Sequence, residues 1–191
     1  MPKIVYLHGL ASVGAGPKTD ALIAAFGAEN VTAPDLPLDP IELEDIVDTI
    51  VRGNASYPLI FVGTSLGGFW ANYFAQKYNA NCVLINPATV PSQTLGDKVG
   101  TDVRNYKTDE LITVLPEYIS EFKVRERYLA NETNGTLINL FVAKNDEVLA
   151  VSEMLDNIPF YASRTVKEDG GHRFEKHWNE VVAKVAELVN A

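Results

Sequence analysis

A layered α/β fold on a mostly parallel sheet is what this chain predicts, and three observations predict it. Short apolar runs at Lys3–Leu7, Asn30–Ala33, Leu59–Val62, Asn81–Ile85, Leu137–Ala143 and Tyr161–Val166 alternate with helix-like segments. Those runs are near-continuous apolar blocks, as parallel strands covered on both faces require, not the apolar–polar alternation of a half-exposed sheet. Finally, Leu59–Val62 passes through Gly63-Thr64-Ser65-Leu66-Gly67 into a helical pattern over Phe69–Tyr78 without a gap. The expectation is six mostly parallel strands flanked by helices, the second strand at one edge and Leu59–Val62 inside the sheet.

Each element has a local reason. After Lys3–Leu7 comes a small, glycine-rich loop, Leu10–Gly16, and Pro17 can start a helix with Leu22, Ile23 and Phe26 on one side. Asp39-Pro40-Ile41-Glu42 is a strong helix start: a capping aspartate, proline in first position, and glutamate three residues after the cap. That helix sets Leu43, Ile46, Val47, Ile50 and Val51 on one side, and Gly53 suits its stop. Between the fourth and fifth strands, residues 91–136 break the rhythm. Helices are expected there at Asp109–Leu115 and Pro116–Arg127, and an excursion of this length is either a lid or a cover for the sheet edge. A short helix near Val151–Leu155 follows the fifth strand. The last helix carries Phe174, Trp178, Val181, Val182, Val185, Leu188 and Val189 at spacings of three and four, with His177 read as a solvated helix residue.

Bulk properties narrow the function classes. With 191 residues the chain is read as one domain, 1–191, and 47% hydrophobic with 21% charged residues is ordinary globular composition. A formal net charge of −9 argues against a nucleic-acid backbone or an anionic membrane as partner. There is no signal-like segment or long apolar run, and the single cysteine, Cys82, lies mid-strand among apolar neighbours, where it reads as core. A cytoplasmic location is therefore expected.

Ligands of open parallel sheets bind at the carboxyl ends of the strands, so the residues standing there are the candidates. They are His8-Gly9, Ser65, Asn86, Asp146 and His172. Ser65 sits in Gly-x-Ser-x-Gly between strand and helix, the nucleophile elbow of α/β-hydrolases, and Ser, Asp, His is the chain order of that fold's triad. A serine hydroxyl needs a base to take its proton, and imidazole does this at neutral pH. His172 is the expected base, and Asp146 the acid that fixes its tautomer. His8, His177, Glu147, Asp169 and Glu175 are the competitors. His8 is the alternative base, though a histidine in the first loop more often shapes the oxyanion site; Glu147 is the alternative acid. The backbone N–H groups of Leu66 and Leu10 are the expected oxyanion donors. The three histidines lack metal-ligand spacing on one element, so neither metal nor cofactor is expected.

The set Tyr6-Leu7-His8-Gly9, Gly63-Thr64-Ser65-Leu66-Gly67-Gly68, Asn86-Pro87-Ala88, Asp146-Glu147-Val148-Leu149 and Glu168-Asp169-Gly170-Gly171-His172-Arg173-Phe174 resembles the small bacterial YqiA-like esterases along essentially the whole chain. The resemblance implies a compact α/β-hydrolase with carboxylesterase activity on short acyl esters, a small-molecule ester as substrate, and Ser65, Asp146 and His172 in the catalytic positions. Two residues depart from the pattern. Asn145 replaces a glycine common before the aspartate, and Arg173 replaces a small residue common after the histidine, where it can narrow or charge the site mouth. An acyl thioesterase is the second enzymatic reading; it would need a basic groove, for which Lys123, Arg125 and Arg127 form the obvious cluster. A non-catalytic binding protein on the same scaffold is the third.

Overall fold

The computed structural model describes all 191 residues, Met1–Ala191. In chain order the elements are β1 (Lys3–Leu7), α1 (Pro17–Phe26), β2 (Val31–Thr32), α2 (Pro40–Gly53), β3 (Leu59–Thr64), α3 (Leu66–Tyr78), β4 (Asn81–Ile85), α4 (Pro91–Thr94), β5 (Asp102–Arg104), β6 (Leu111–Thr113), α5 (Pro116–Glu132), β7 (Ile138–Ala143), α6 (Val151–Asn157), β8 (Ser163–Lys167) and α7 (Trp178–Val189). Six strands form one sheet in the order β2-β1-β3-β4-β7-β8, and every neighbouring pair is parallel.

The period-two geometry of strands divides each one between two cores. Val5, Leu7, Phe61, Cys82, Leu84, Leu140 and Val142 face α2, α3 and α5, against Leu43, Val47, Phe69, Trp70, Phe74 and Phe122. Ile4, Tyr6, Ile60, Val62, Val83, Ile85, Phe141 and Ala143 face α1 and α7, against Leu22, Phe26, Trp178, Val181 and Val185. Burial on both faces is what the unbroken apolar runs encode. From β1 the chain goes to one side to make β2 and then returns to make β3 on the other. The strand order thus reverses at β1/β3, and a crevice opens at their carboxyl ends.

Local signals placed several elements as expected. Asp39 caps α2, its carboxylate accepting from the N–H groups of Ile41 (2.9 Å) and Glu42 (3.4 Å). Gly53 is the last helical residue, and Asn54 caps the end without a left-handed backbone. α5 is fastened to the body by Arg125, which is buried, pairs with Glu44 of α2 and Glu121, and lies over the rings of Trp70 and Tyr73 of α3.

Four readings need correction. Asp109–Leu115 is not a helix. Asp109 takes a left-handed turn (φ 63°) and Leu111–Thr113 pairs antiparallel with Asp102–Arg104 as a small hairpin. The β-branched Ile112, Thr113 and Val114, with Pro116 ahead, suit a strand better than a helix. The helix α5 runs five residues past Arg127. The sixth strand of the sheet begins at Ser163, not Tyr161. Phe174 lies outside α7, in a left-handed conformation (φ 56°) that drives its ring into the core against Phe141. No helix is long and apolar enough to cross a membrane.

The close approach of α3 to the sheet gives a paired expectation. A Cβ on Gly67 would lie 2.0 Å from the Leu7 carbonyl oxygen, whereas one on Gly53 would meet open space. Gly67→Ala is expected to lose roughly 3 kcal/mol of unfolding free energy, and Gly53→Ala to gain about 0.5–1 kcal/mol by removing a helical glycine. Urea denaturation of the two variants decides; equal midpoints would rule out the close approach.

Candidate active site

The crevice is built from the loops that follow β1, β3, β4, β7 and β8. Ser65 follows β3 at once and starts α3, with φ 55° and ψ −122°. That conformation is costly for a residue with a side chain, on the order of 1–3 kcal/mol, and persists only where neighbours hold it. Here they do. Its N–H donates to the Ile85 carbonyl (3.0 Å), while its own carbonyl accepts from Gly68 (2.8 Å) and Ala88 (2.9 Å). Three further non-glycine residues with positive φ, Ala11, Asn86 and Phe174, lie in the loops that follow β1, β4 and β8.

Ser65 Oγ lies 3.0 Å from His172 Nε2, and His172 Nδ1 lies 3.0 and 2.9 Å from the two carboxylate oxygens of Asp146. A carboxylate can only accept, so Nδ1 carries the proton and Nε2 is free to accept from the serine hydroxyl. The Asp146 side chain is fully buried, and its Oδ1 also accepts from the N–H groups of Val148 and Leu149, both at 2.8 Å. Burial alone would raise this carboxyl. Its hydrogen bonds, that of His172 foremost, outweigh burial and hold it below the ordinary aspartate range.

The competitors fall elsewhere. His8 is buried with both ring nitrogens in use: Nδ1 donates to the Gly9 carbonyl (2.8 Å) and Nε2 accepts from Leu36 N–H (2.9 Å). Burial lowers its pKa, so it stays neutral as a pin between two loops. His177 is not the solvated residue expected; it is largely covered and bonds Asp169 (2.8 Å) beside Glu180. Glu147 reaches the histidine from outside, accepting from the His172 backbone N–H (3.0 Å) while its carboxylate stays off the ring. Glu175 lies on the cavity lining. The N–H groups of Leu66 and Leu10 have no acceptor within the protein. The cluster Lys123, Arg125 and Arg127 is not a groove on this site, because Arg125 is buried in its ion pairs and the other two line a separate groove.

Sequence reasoning noticed Asn86 but gave it no task. It is fully buried, its amide donates to the carbonyls of Gly171 (2.9 Å) and His172 (3.0 Å), and its Oδ1 accepts from Ala143 N–H (2.8 Å). Asn145, the departure before Asp146, accepts from Gly171 N–H (2.8 Å). The histidine loop is therefore held from the ends of β4 and β7. In front of Ser65 and His172 lies a cavity of about 450 Å³, walled by the first loop, the segment after β4 and the tip of the β5–β6 hairpin. The hairpin is tied to the first loop by Asn105 Nδ2 to the Ser12 carbonyl (2.9 Å) and Tyr106 OH to Ser12 Oγ (2.7 Å).

The family model described as "Uncharacterised protein family (UPF0227)" matches residues 3–188. The chain belongs to the UPF0227 family. This agrees with the YqiA-like resemblance of its motifs. UPF0227 protein YE1706 of Yersinia enterocolitica is 24% identical over 177 residues, covering 90% of this chain and 91% of that one. UPF0227 protein YcfP of Escherichia coli is 22% identical over 182 residues, covering 90% and 91%. Among solved structures, Est1E from Butyrivibrio proteoclasticus with ferulic acid bound superposes with a TM-score of 0.75 at 11% identity, covering 100% of this chain and 90% of that one. A monoacylglycerol lipase from Paleococcus ferrophilus superposes at 0.68 and 16% identity, covering 98% and 96%. These likenesses, with the sheet described above, make this UPF0227 member an α/β-hydrolase in fold.

Asn86→Ala would leave the Ala143 N–H and the His172 carbonyl without partners, and the Gly171 carbonyl with only the Phe174 N–H. Its expected cost is about 2–3 kcal/mol, read as a lower urea midpoint with an unchanged slope. A stability loss under half a kcal/mol would mean that the histidine loop is held by other contacts.

Proposed function

We propose that this UPF0227 member is a serine hydrolase cleaving small carboxylic esters through an acyl-enzyme. The observation that carries the reading is the unbroken hydrogen-bonded line from Ser65 Oγ through His172 to a buried Asp146, standing at the mouth of a cavity. In this mechanism Ser65 Oγ bonds to the ester carbonyl carbon as His172 Nε2 takes the hydroxyl proton. The carbonyl electron pair moves to its oxygen, stabilised by the free N–H groups of Leu66 and Leu10 and the positive end of α3. When that pair returns, the alcohol leaves with the proton from His172. Water, activated by the same imidazole, then releases the acid and restores Ser65. Asp146 holds the tautomer throughout and stabilises the imidazolium that forms twice in each cycle. The cavity's volume of about 450 Å³ supports a small ester as the substrate.

Labelling by a serine-directed fluorophosphonate, alongside turnover of short acyl esters, tests the reading. Ser65→Ala is expected to abolish labelling and to lower kcat by on the order of 10⁶, with stability within about 1 kcal/mol of wild type. An unlabelled wild-type protein without turnover would sink the proposal. His172→Ala should match Ser65→Ala, since the members act as a unit, whereas Asp146→Asn should cost on the order of 10⁴. Glu147→Gln keeps an oxygen able to accept from His172 N–H and should stay within roughly tenfold of wild type. If it is the more damaging of the two acid variants, the acid is Glu147.

A further inference from the structure

The protein carries a net charge of −9, yet the cavity before Ser65 has the opposite sign. Of sixteen Lys and Arg residues in the chain, Lys18, Lys98, Lys107 and Arg173 line it; of twenty-five Asp and Glu residues, only Glu175 does. The separate groove lined by Lys123 and Arg127 shows no such bias, since Glu126 and Asp156 balance them. Nor are the cavity cations consumed internally. No carboxylate lies within 4.0 Å of the ammonium groups of Lys18, Lys98 or Lys107, and Arg173 meets Glu175 at 3.7 Å with most of its side chain exposed.

Their placement is structured. Lys18 is half-buried at the start of α1, its ammonium 5.0 Å from the centre of the Trp178 ring. Tyr106, at the hairpin tip, lies under two cations, Arg173 at 5.1 Å and Lys107 at 5.9 Å from its ring centre. Because Tyr106 is tied to Ser12, the first loop, the hairpin and the residue after His172 form one cationic wall. Four segments far apart in sequence supply these charges, so helix or loop composition does not explain their meeting. Keeping Lys18 charged and half-buried with no carboxylate on it costs free energy that an anionic ligand would recover.

We propose that the substrate of this site is an anionic ester, one bearing a carboxylate or phosphate group that rests on Lys18 and the Lys107–Arg173 wall while its acyl carbon meets Ser65. This rests on the hydrolase reading for its chemistry, but not for its anion binding. Burial, opposed by Glu175 and assisted by Arg173, pulls the Lys18 ammonium down to about 8. Lys98, Lys107, Arg173, Glu175, Tyr106 and His172 are the other ionisable groups lining the cavity, and Tyr6 beneath them is pushed up to about 12 and stays neutral. Anion preference should therefore fade as pH rises through about 8, where Lys18 loses its proton.

The experiment compares matched esters, each normalised to its hydroxide-catalysed rate. Mono-nitrophenyl glutarate against nitrophenyl pentanoate places the charge on the acyl side. Acetoxybenzoate and acetoxyphenyl phosphate against phenyl acetate place a carboxylate or a phosphate on the leaving group. At low ionic strength at least one anionic ester should exceed its neutral partner about tenfold in kcat/KM, through KM. That ratio should fall at roughly 0.5 M salt, above pH 8, and in Lys18→Met or Lys107→Met. No preference in any pair, or a preference that survives both substitutions and salt, overturns the inference. In parallel, Ser65→Ala is titrated calorimetrically with phenyl phosphate, benzoate and phenol. Anions bound no tighter than phenol overturn it whether or not the protein hydrolyses esters. Anions bound by a protein that fluorophosphonate does not label would uphold the anion site and refute the hydrolase.

Discussion

Everything at this site depends on how closely α3 can approach the sheet. A Cβ at Gly63 would lie 2.0 Å from the Gly67 carbonyl oxygen, and one at Gly67 equally close to that of Leu7. With both positions bare, helix and strands meet backbone to backbone, and the single residue between β3 and α3 must absorb the change of direction. Ser65 does so at φ 55°. The strain stays local because its amide and carbonyl are bonded to neighbouring segments at Ile85, Gly68 and Ala88. Lifting the hydroxyl out of the sheet is a consequence of this packing.

The imidazole poses a separate problem, since its loop follows the outermost strand, β8, while the serine follows an interior one. The fold bridges the gap with directional side-chain bonds, those of the buried Asn86 above all, while Phe174 anchors the loop in the core against Phe141. Asn86 stands between β4 and β7 in the sheet, donating to the carbonyls of Gly171 and His172 and accepting from Ala143 N–H. Asn145 and Glu147 take the N–H groups of Gly171 and His172. Directional bonds fix an orientation that dispersion contacts would leave loose. The buried Asp146 can then keep its charge, since the imidazole and two backbone amides face it.

Much of the fold was legible because it follows from local rules. The apolar runs encode burial on both faces, Asp39-Pro40 encodes a helix start, and Gly63-Thr64-Ser65-Leu66-Gly67 encodes the turn. The hairpin at Asp102–Thr113 was misread because short segments carry both helical and strand patterns. Pairing across it, with Val103 opposite Ile112, settled the outcome. The partners of Ser65 were legible as residue types at strand ends. The task of Asn86 was not, because it is bonded to residues 85 and 86 positions away. Arg125 misled in the opposite direction: between Lys123 and Arg127 it looked like surface charge, and the fold buries it against Trp70 and Glu44.

The electrostatics of the cavity was the least legible feature, and the reason is general. Net charge is a sum over the chain, whereas a ligand feels the groups within about one Debye length, roughly 8–10 Å at physiological salt. Here the two have opposite signs. Lys18, Lys98, Lys107 and Arg173 come from the start of α1, the turn after α4, the hairpin tip and the histidine loop, and only the fold sums them. An acidic exterior around a basic cavity repels anions at long range and attracts them at short range, and salt screens both. Association of an anionic ester should therefore depend on salt less steeply than the four cavity cations alone would give, because screening weakens a distant repulsion along with a near attraction.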